Sequence, residues 1–335
     1  MPRQLFLCLA FALLTAMPVQ AEKNLARPPG TTRYAPLTAR LKSLLNWDQT
    51  QGWHRMALES IGQSVQGREI WMVTVGGTPS PQGEGFVPHL LYLCRQHGHE
   101  PASTEGALAF LDKLVKAVPD SPQALELAHV TVSVVPMANP DGSEAFRRHN
   151  AHKVDLNRDW IAQSQPETQA WKKAIEKLKP ALLTDQHELY PDDRRPDFTE
   201  TATAGSGANQ NVIQTCVDAQ TIIDGALMAE GTPVAQHWID DHHPPRLAHR
   251  YNCVVAGVPT LLFETNRLAG TKRSVAERAA AHEKFMDGVL RDFAGERPQM
   301  LVEAQKYYAA HPRDLRLASR KKASVRGKPP EKTND

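Results

Sequence analysis

The stretch Leu90-Leu91-Tyr92-Leu93-Cys94-Arg95-Gln96-His97-Gly98-His99-Glu100 begins as an apolar run of strand character and ends in polar residues suited to metal coordination. His97 and Glu100 form an H-x-x-E pair. On a turn leaving a strand, an imidazole nitrogen and a carboxylate three residues apart can meet one cation. His99 does not keep that spacing and is expected to line the cleft. Zinc accepts this mixed nitrogen and oxygen set, and a catalytic zinc site wants a third protein ligand and an open position. Such a site also needs another ligand, a base and a group to hold a substrate from elsewhere in the chain.

Working outward, Ile70-Trp71-Met72-Val73-Thr74-Val75 and residues 130–135, 181–184 and 258–263 read as apolar strands. Leu37, Leu41, Leu44 and Leu45 recur at helical spacing. Further helices are expected from Thr104, over 166–179 with Pro166 in its first turn, and over 212–229, 274–293 and 298–310. Residues 60–68 read as a turn, 136–142 as a loop, 205–211 as flexible and 234–250 as a polar connection. Strands alternating with helices predict an α/β fold. A strand that is apolar on both faces, as at 130–135, suits a sheet covered by helices on both sides. Polar loops follow the strand ends, where open α/β sheets place their ligands.

Hydrophobic residues make up 41% of the 335 and charged residues 23%, which leaves ample apolar material for a core. The net charge of +2 gives no global pull toward nucleic acid. Arg3, the apolar run over 5–17 and Val19-Gln20-Ala21 read as a secretory signal peptide cut after Ala21; an uncleaved anchor is the alternative. The chain is thus expected to be exported, periplasmic or secreted, with no integral membrane segment after cleavage. The expected organisation is a signal peptide over 1–21, a leader over 22–36, a catalytic domain over 37–294, and a C-terminal helix with a basic, disordered tail over 295–335. Of the cysteines left after cleavage, Cys94 reads as a buried small hydrophobe. Cys216 and Cys253 are the pair to test for a disulfide, three free thiols being the alternative.

His187 ends the 181–184 strand run as His97 ends its own, which makes it the strongest third ligand. Two histidines and a glutamate with a fourth place open are a catalytic zinc set. Glu264 follows the apolar run Val258-Pro259-Thr260-Leu261-Leu262-Phe263, where a carboxylate is costly without a purpose or a partner; it can serve as the base for a metal-activated water. Asn157-Arg158 can clamp a substrate carboxylate, since arginine is built for bidentate recognition. A second arginine nearer the metal can stabilise an oxyanion. Asp185 is either an orienter of a ligand or a strand-end cap. Asp240-Asp241-His242-His243 reads as a polar flap, with a second metal site as the alternative.

Six motifs occur in order: Ser64-x-x-Gly67-Arg68-x-Ile70, His97-x-x-Glu100, Asn139-Pro140-Asp141-Gly142, Val154-Asp155-Leu156-Asn157-Arg158, Asp185-x-His187 and Phe263-Glu264-Thr265. In these the chain resembles the zinc carboxypeptidase family typified by pancreatic carboxypeptidase A, over about residues 60–291. The resemblance implies a carboxypeptidase-like, mixed and mostly parallel sheet. It implies one zinc per chain on His97, Glu100 and His187, with Glu264 as general base and acid. It implies Asn157 and Arg158 on a terminal carboxylate, and Arg148 as the transition-state arginine with Arg147 as the fallback. The expected activity is zinc-dependent hydrolysis of peptide or peptidoglycan-peptide bonds by a monomer. A small-molecule N-acyl amino acid deacylase and a non-catalytic cell-wall-binding protein are the alternatives. Two features depart from the family pattern. Asp159 stands where Asn-Arg-Asn is common. The region that carries a mobile tyrosine in animal members does not align, which leaves Tyr251 a candidate only and side-chain preference unread.

Overall fold

The computed structural model of the chain describes residues 25–76, 87–239, 245–268 and 272–311. The signal sequence, the start of the leader, the 240–243 cluster and the tail beyond His311 lie outside the described residues. Eight strands are β1 (Met56–Gln63), β2 (Glu69–Val75), β3 (His89–Cys94), β4 (Thr131–Val135), β5 (Leu182–Glu188), β6 (Phe198–Ala202), β7 (Ala235–Ile239) and β8 (Thr260–Thr265). They form one sheet in the order β1-β2-β4-β3-β5-β8-β6-β7. The centre, β4-β3-β5-β8, is parallel throughout. β1-β2, β2-β4 and β8-β6 are antiparallel, and β7 joins β6 in parallel. The sheet is thus mixed and mostly parallel, as the sequence predicts.

The helices are α1 (Tyr34–Thr50), α2 (Ala102–Val115), α3 (Pro122–Leu127), α4 (Pro140–Ala145), α5 (Pro166–Leu178), α6 (Gln210–Ala229), α7 (Ala248–Tyr251), α8 (Val275–Arg291) and α9 (Arg297–Ala310). Strand alternation places them on both faces. Leu90, Tyr92 and Cys94 of β3 enter a core with Leu108 and Leu111 of α2 and Phe285 and Val289 of α8. Leu91 and Leu93 enter a second core with Trp160 and with Trp171 and Ile175 of α5. α8 starts at a capping box, in which Ser274 and Glu277 satisfy each other's backbone N–H groups. α9 packs on α6 closely enough that a Cβ on Gly225 would lie 2.3 Å from the Ala304 Cβ. Among the described residues no helix is long and apolar enough to cross a membrane.

Three strands and three short helices, α3, α4 and α7, differ from the sequence expectation. β1 extends through the front of the supposed 60–68 turn; it is an edge strand with a mostly solvated face, so its apolar alternation is weak. β6 and β7 are rich in Thr, Glu, Gln and His. Their buried hydroxyls are satisfied internally: Thr199 Oγ1 donates to Asp224 (2.6 Å) and Thr201 Oγ1 to the Thr260 carbonyl (2.9 Å). The expected loop at 136–142 closes into α4, capped by Asn139. Cys94, Cys216 and Cys253 are all buried free thiols, and Cys216 Sγ lies 3.9 Å from Cys253 Sγ.

Candidate active site

The parallel register brings the chemistry to one edge. Leu93 pairs with Asp185 and Cys94 with Gln186, while His187 pairs with Glu264. The carboxyl ends of β3, β5 and β8 therefore lie side by side. The excursion after β4 adds Arg148, Asp155, Asn157 and Arg158 to the same edge. Topological edges of this kind are where open α/β sheets bind ligands.

The turn carrying His97 and Glu100 is braced from behind. The Ala138 N–H donates to the Cys94 carbonyl (2.9 Å), the Asn139 N–H to the Arg95 carbonyl (3.2 Å), and Asn139 Nδ2 to the Gln96 carbonyl (3.0 Å). Asn139 Oδ1 accepts the Gly142 N–H (2.9 Å). Gly98 presses against Gly142 where a side chain has no room; a Cβ there would sit 1.9 Å from the Gly142 carbonyl carbon. Asp141 accepts from Ser64 Oγ (2.7 Å), the Gln66 N–H (2.9 Å) and Arg68 Nη1 (2.6 Å). The Ser64-x-x-Gly67-Arg68 and Asn139–Gly142 motifs are therefore braces for the metal turn.

The candidate donors converge. His97 Nδ1 is 2.8 Å from Glu100 Oε1, His187 Nδ1 is 2.9 Å from Glu100 Oε2, and the two Nδ1 atoms are 3.1 Å apart. All three residues are 1–3% exposed. Ligand bonds of about 2.05 Å give a tetrahedral zinc site an edge of about 3.3 Å, so these separations fit one zinc ion to within a few tenths of an ångström. Among the described residues no other cluster of three or more such groups meets the same test. Each histidine's outer nitrogen is held by a carboxylate. Asp185 Oδ1 accepts from His187 Nε2 (2.9 Å) and Asp155 Oδ1 from His97 Nε2 (3.1 Å). Such pairs fix the ring and the tautomer that leaves Nδ1 free to ligate. Asp185 also takes Gln96 Nε2, whose Oε1 receives Trp160 Nε1 (3.1 Å).

Electrostatics follow from burial and these pairs. Burial raises the Glu100 carboxyl, but His97 and His187 outweigh it and hold it well below the usual range. Burial lowers the His187 imidazole, but Asp185 and Glu100 outweigh it and raise it well above the usual value. These positions describe the metal-free cluster; a bound cation requires neutral imidazoles. The Glu264 carboxyl is pushed up chiefly by burial, against the nearby His187.

A cleft of about 240 Å³ opens over the cluster, lined by His97, Glu100, Arg148, Asn157, Arg158 and Glu264 among others. Arg148 donates from Nε to Asp155 (2.9 Å), lies 3.7 Å from Glu100 and stacks over the Tyr190 ring (5.4 Å). Arg147 lines a separate pocket beside Arg33 and Asp141. Arg158 makes no ion pair among the described residues. Asn157 Oδ1 is engaged by the Ala248 N–H (2.8 Å). Asp159 turns away from the cleft to accept the Ser164 and Gln165 N–H groups (both 3.0 Å).

His99, expected in the cleft, is instead buried edge-on against Tyr190. Tyr251 packs on Trp160, and its hydroxyl accepts from Gln163 Nε2 (3.0 Å), so it is a core residue here. Sequence reasoning missed Asp155 as the partner of His97, although it sits inside the Val154–Arg158 motif. It also missed the wall formed by Tyr190, Arg195, Glu200 and His249. Glu200 accepts from His249 Nε2 (2.9 Å) across the cleft floor; no spacing pattern links two residues so far apart in the chain.

Residues 47–181 match the model of the zinc carboxypeptidase family. That segment contains His97, Glu100, Arg148, Asn157 and Arg158; His187 and Glu264 lie beyond it and reach the site through the sheet. Mouse carboxypeptidase M is 35% identical over 113 residues, 31% of this chain and 25% of that protein. Rat carboxypeptidase D is 31% identical over 209 residues, 56% of this chain and 15% of that protein. The chain thus spans a quarter or less of the length of these relatives. Two solved structures share the fold: a metallo-carboxypeptidase from Burkholderia cenocepacia, at 19% identity and TM-score 0.66 over 78% of this chain and 69% of that one, and thrombin activatable fibrinolysis inhibitor, at 12% identity and TM-score 0.65 over 79% and 74%. The family model thus covers residues 47–181, and the solved structures show the same fold.

Proposed function

We propose that the chain is a zinc-dependent peptide hydrolase of carboxypeptidase type, with a catalytic domain over about residues 37–294. The observation that carries the proposal is the convergence of His97 Nδ1 and His187 Nδ1, 3.1 Å apart and each within 2.9 Å of one of the Glu100 oxygens, beside Glu264 in one cleft. His97, Glu100 and His187 hold the metal. A zinc ion so held supplies Lewis acidity, polarising the scissile carbonyl and lowering the pKa of water. Glu264 takes a proton from the attacking water and delivers it to the leaving amine nitrogen; a carboxyl pushed up by burial is matched to both tasks. Arg148 is held by Asp155 with its guanidinium facing the cleft, and stabilises the negative charge that develops on the carbonyl oxygen. Arg158, which makes no ion pair among the described residues although Asp155 lies near it, holds the terminal carboxylate of the substrate with Asn157.

The expectation of export, with murein peptides among reachable substrates, belongs to this proposal and rests on residues 1–21. The test is a digest of a free-acid peptide, its C-terminal amide, a murein peptide and an N-acyl amino acid, followed by product masses. Stepwise release of single C-terminal residues from free-acid peptides is expected, with the amide spared. Glu264→Gln is expected to lower kcat by about 10²–10⁴-fold. Internal fragments, turnover of the N-acyl amino acid alone, or an unaffected Glu264→Gln variant would each sink the proposal.

A further inference from the structure

A second cavity adjoins the cleft and is more than three times its volume, about 810 Å³ against about 240 Å³. It lies between the loop before β6 and Asn266, Leu268, Lys272 and Arg273. Its charged lining is Arg194, Arg195, Asp197, Lys272 and Arg273. Arg195 lines both cavities and so forms the wall between them. The chain as a whole is nearly balanced, with 39 basic and 37 acidic residues, so this concentration of cations is local.

Two of the four cations are fixed in place. Asp193 holds Arg195 through two nitrogens, Nη2 at 2.7 Å and Nε at 3.1 Å, and the guanidinium lies over the Phe198 ring. Asp197 holds Arg273 Nη1 at 2.6 Å. Asn266 ties the two sides together, donating its backbone N–H to Asp197 Oδ1 (2.7 Å) and its side-chain Nδ2 to the Asp193 carbonyl (3.1 Å). The other two cations, Arg194 and Lys272, are exposed and make no ion pair among the described residues. Asp193 and Asp197 offset Arg195 and Arg273, so the uncompensated positive charge of the groove is that of Arg194 and Lys272, and a concave surface with such an excess attracts opposite charge more strongly than scattered surface residues do.

We propose that this groove is a subsite for acidic side chains, and that it takes Asp or Glu residues of the substrate on the amino side of the bond cleaved. The inference rests on the proposed peptidase chemistry. With the terminal carboxylate at Arg158 and the scissile bond beside Glu264, the rest of the peptide must leave the cleft. The groove beyond Arg195 gives it a path. Arg194 and Lys272 then meet carboxylates that find no partner elsewhere on this path, and Arg195 and Arg273 present their remaining N–H groups.

The test uses two fluorescein-labelled peptides with identical last two residues, carrying either three Glu or three Gln before them. The Glu peptide is expected to have the higher kcat/KM, by a few-fold to about tenfold, the range two exposed ion pairs can supply. The difference should lie in KM and shrink at high salt. The double variant Arg194→Glu with Lys272→Glu should erase or reverse the ratio between the peptides. Anisotropy of the same peptides on the Glu264→Gln variant reads binding without turnover, so the groove is judged even if neither peptide is hydrolysed. Equal affinity for both peptides overturns the proposal, as does a ratio the double variant leaves intact. So does displacement of both peptides alike by inorganic phosphate, the mark of a simple anion site.

Discussion

Gly98→Ala tests whether the metal turn is shaped by the segment packed behind it. The new methyl would lie 1.9 Å from the Gly142 carbonyl carbon, 2.3 Å from its oxygen and 2.3 Å from the Ser143 nitrogen. Ordinary contact begins near 3.4 Å, so the two backbones must part by about 1.5 Å. Neither side yields cheaply. Asn139 pins the Gln96 carbonyl with one end of its amide and the Gly142 N–H with the other. Overpacking against side chains costs about 1–3 kcal/mol, and backbone neighbours place this case at the upper end. For a domain of this size, about 3 kcal/mol lowers Tm by about 6–12 °C. The metal is more sensitive still, because ligand distances tolerate only about 0.2 Å; zinc affinity is expected to fall by at least about 100-fold. The assay is thermal unfolding of the metal-free protein together with a zinc titration against a chromogenic chelator. Gly288→Ala serves as the control. It lies inside α8, its nearest neighbour would be Ile223 Cγ2 at 3.3 Å, and better helix propensity offsets that contact by up to about 1 kcal/mol. A Gly98→Ala protein with wild-type Tm and zinc affinity would refute the bracing.

Asp185→Asn and Asp155→Asn are each expected to weaken zinc binding by about 10–100-fold, because each carboxylate orients one histidine; the same titration checks it, and unchanged affinity in both removes their orienting role. Asp224 is buried, which pushes its carboxyl up to about 7. The folded chain then keeps a proton that the unfolded chain releases near the ordinary value of 3.8, so stability falls as pH rises from about 4 to about 7 and levels off above. Asp224→Asn should flatten that slope and gain on the wild type toward pH 8 in urea melts; parallel pH curves for the two proteins would contradict it. Diamide is expected to oxidise Cys216 and Cys253 to a disulfide, leaving the protein two hydrogens lighter with Cys94 the single alkylatable thiol of the described chain. Spanning 37 positions, that bond should add about 3–4 kcal/mol; a chain whose cysteines stay equally alkylatable after diamide contradicts the pairing.

The centre of the fold was legible because its strands are buried on both faces. β3, β4 and β8 are short, nearly continuous apolar runs followed by polar residues, while β5 starts apolar and runs on through Asp185, Gln186, His187 and Glu188 as strand. Those ends carry the candidate site, so His97, Glu100, His187 and Glu264 could be named from sequence. The outer strands were not legible. β1 is half solvated, and β6 and β7 hide polar side chains by hydrogen-bonding them internally, so neither shows an apolar period. The support of the site was equally silent. The Asp155–His97 contact spans 58 residues and Glu200–His249 spans 49, and only the sheet order brings them together. Gly98 reads as an ordinary turn residue until its contact with Gly142 shows why no side chain fits.

The central claim is that two strand-end segments share one zinc ion through His97, Glu100 and His187. The most direct measurement is the zinc content, by elemental mass spectrometry, of the dialysed wild type beside His187→Ala and His99→Gln. The account predicts one zinc per chain in the wild type and in His99→Gln, and less than about one-tenth in His187→Ala. A full equivalent of zinc in His187→Ala, or none in the wild type, would contradict it.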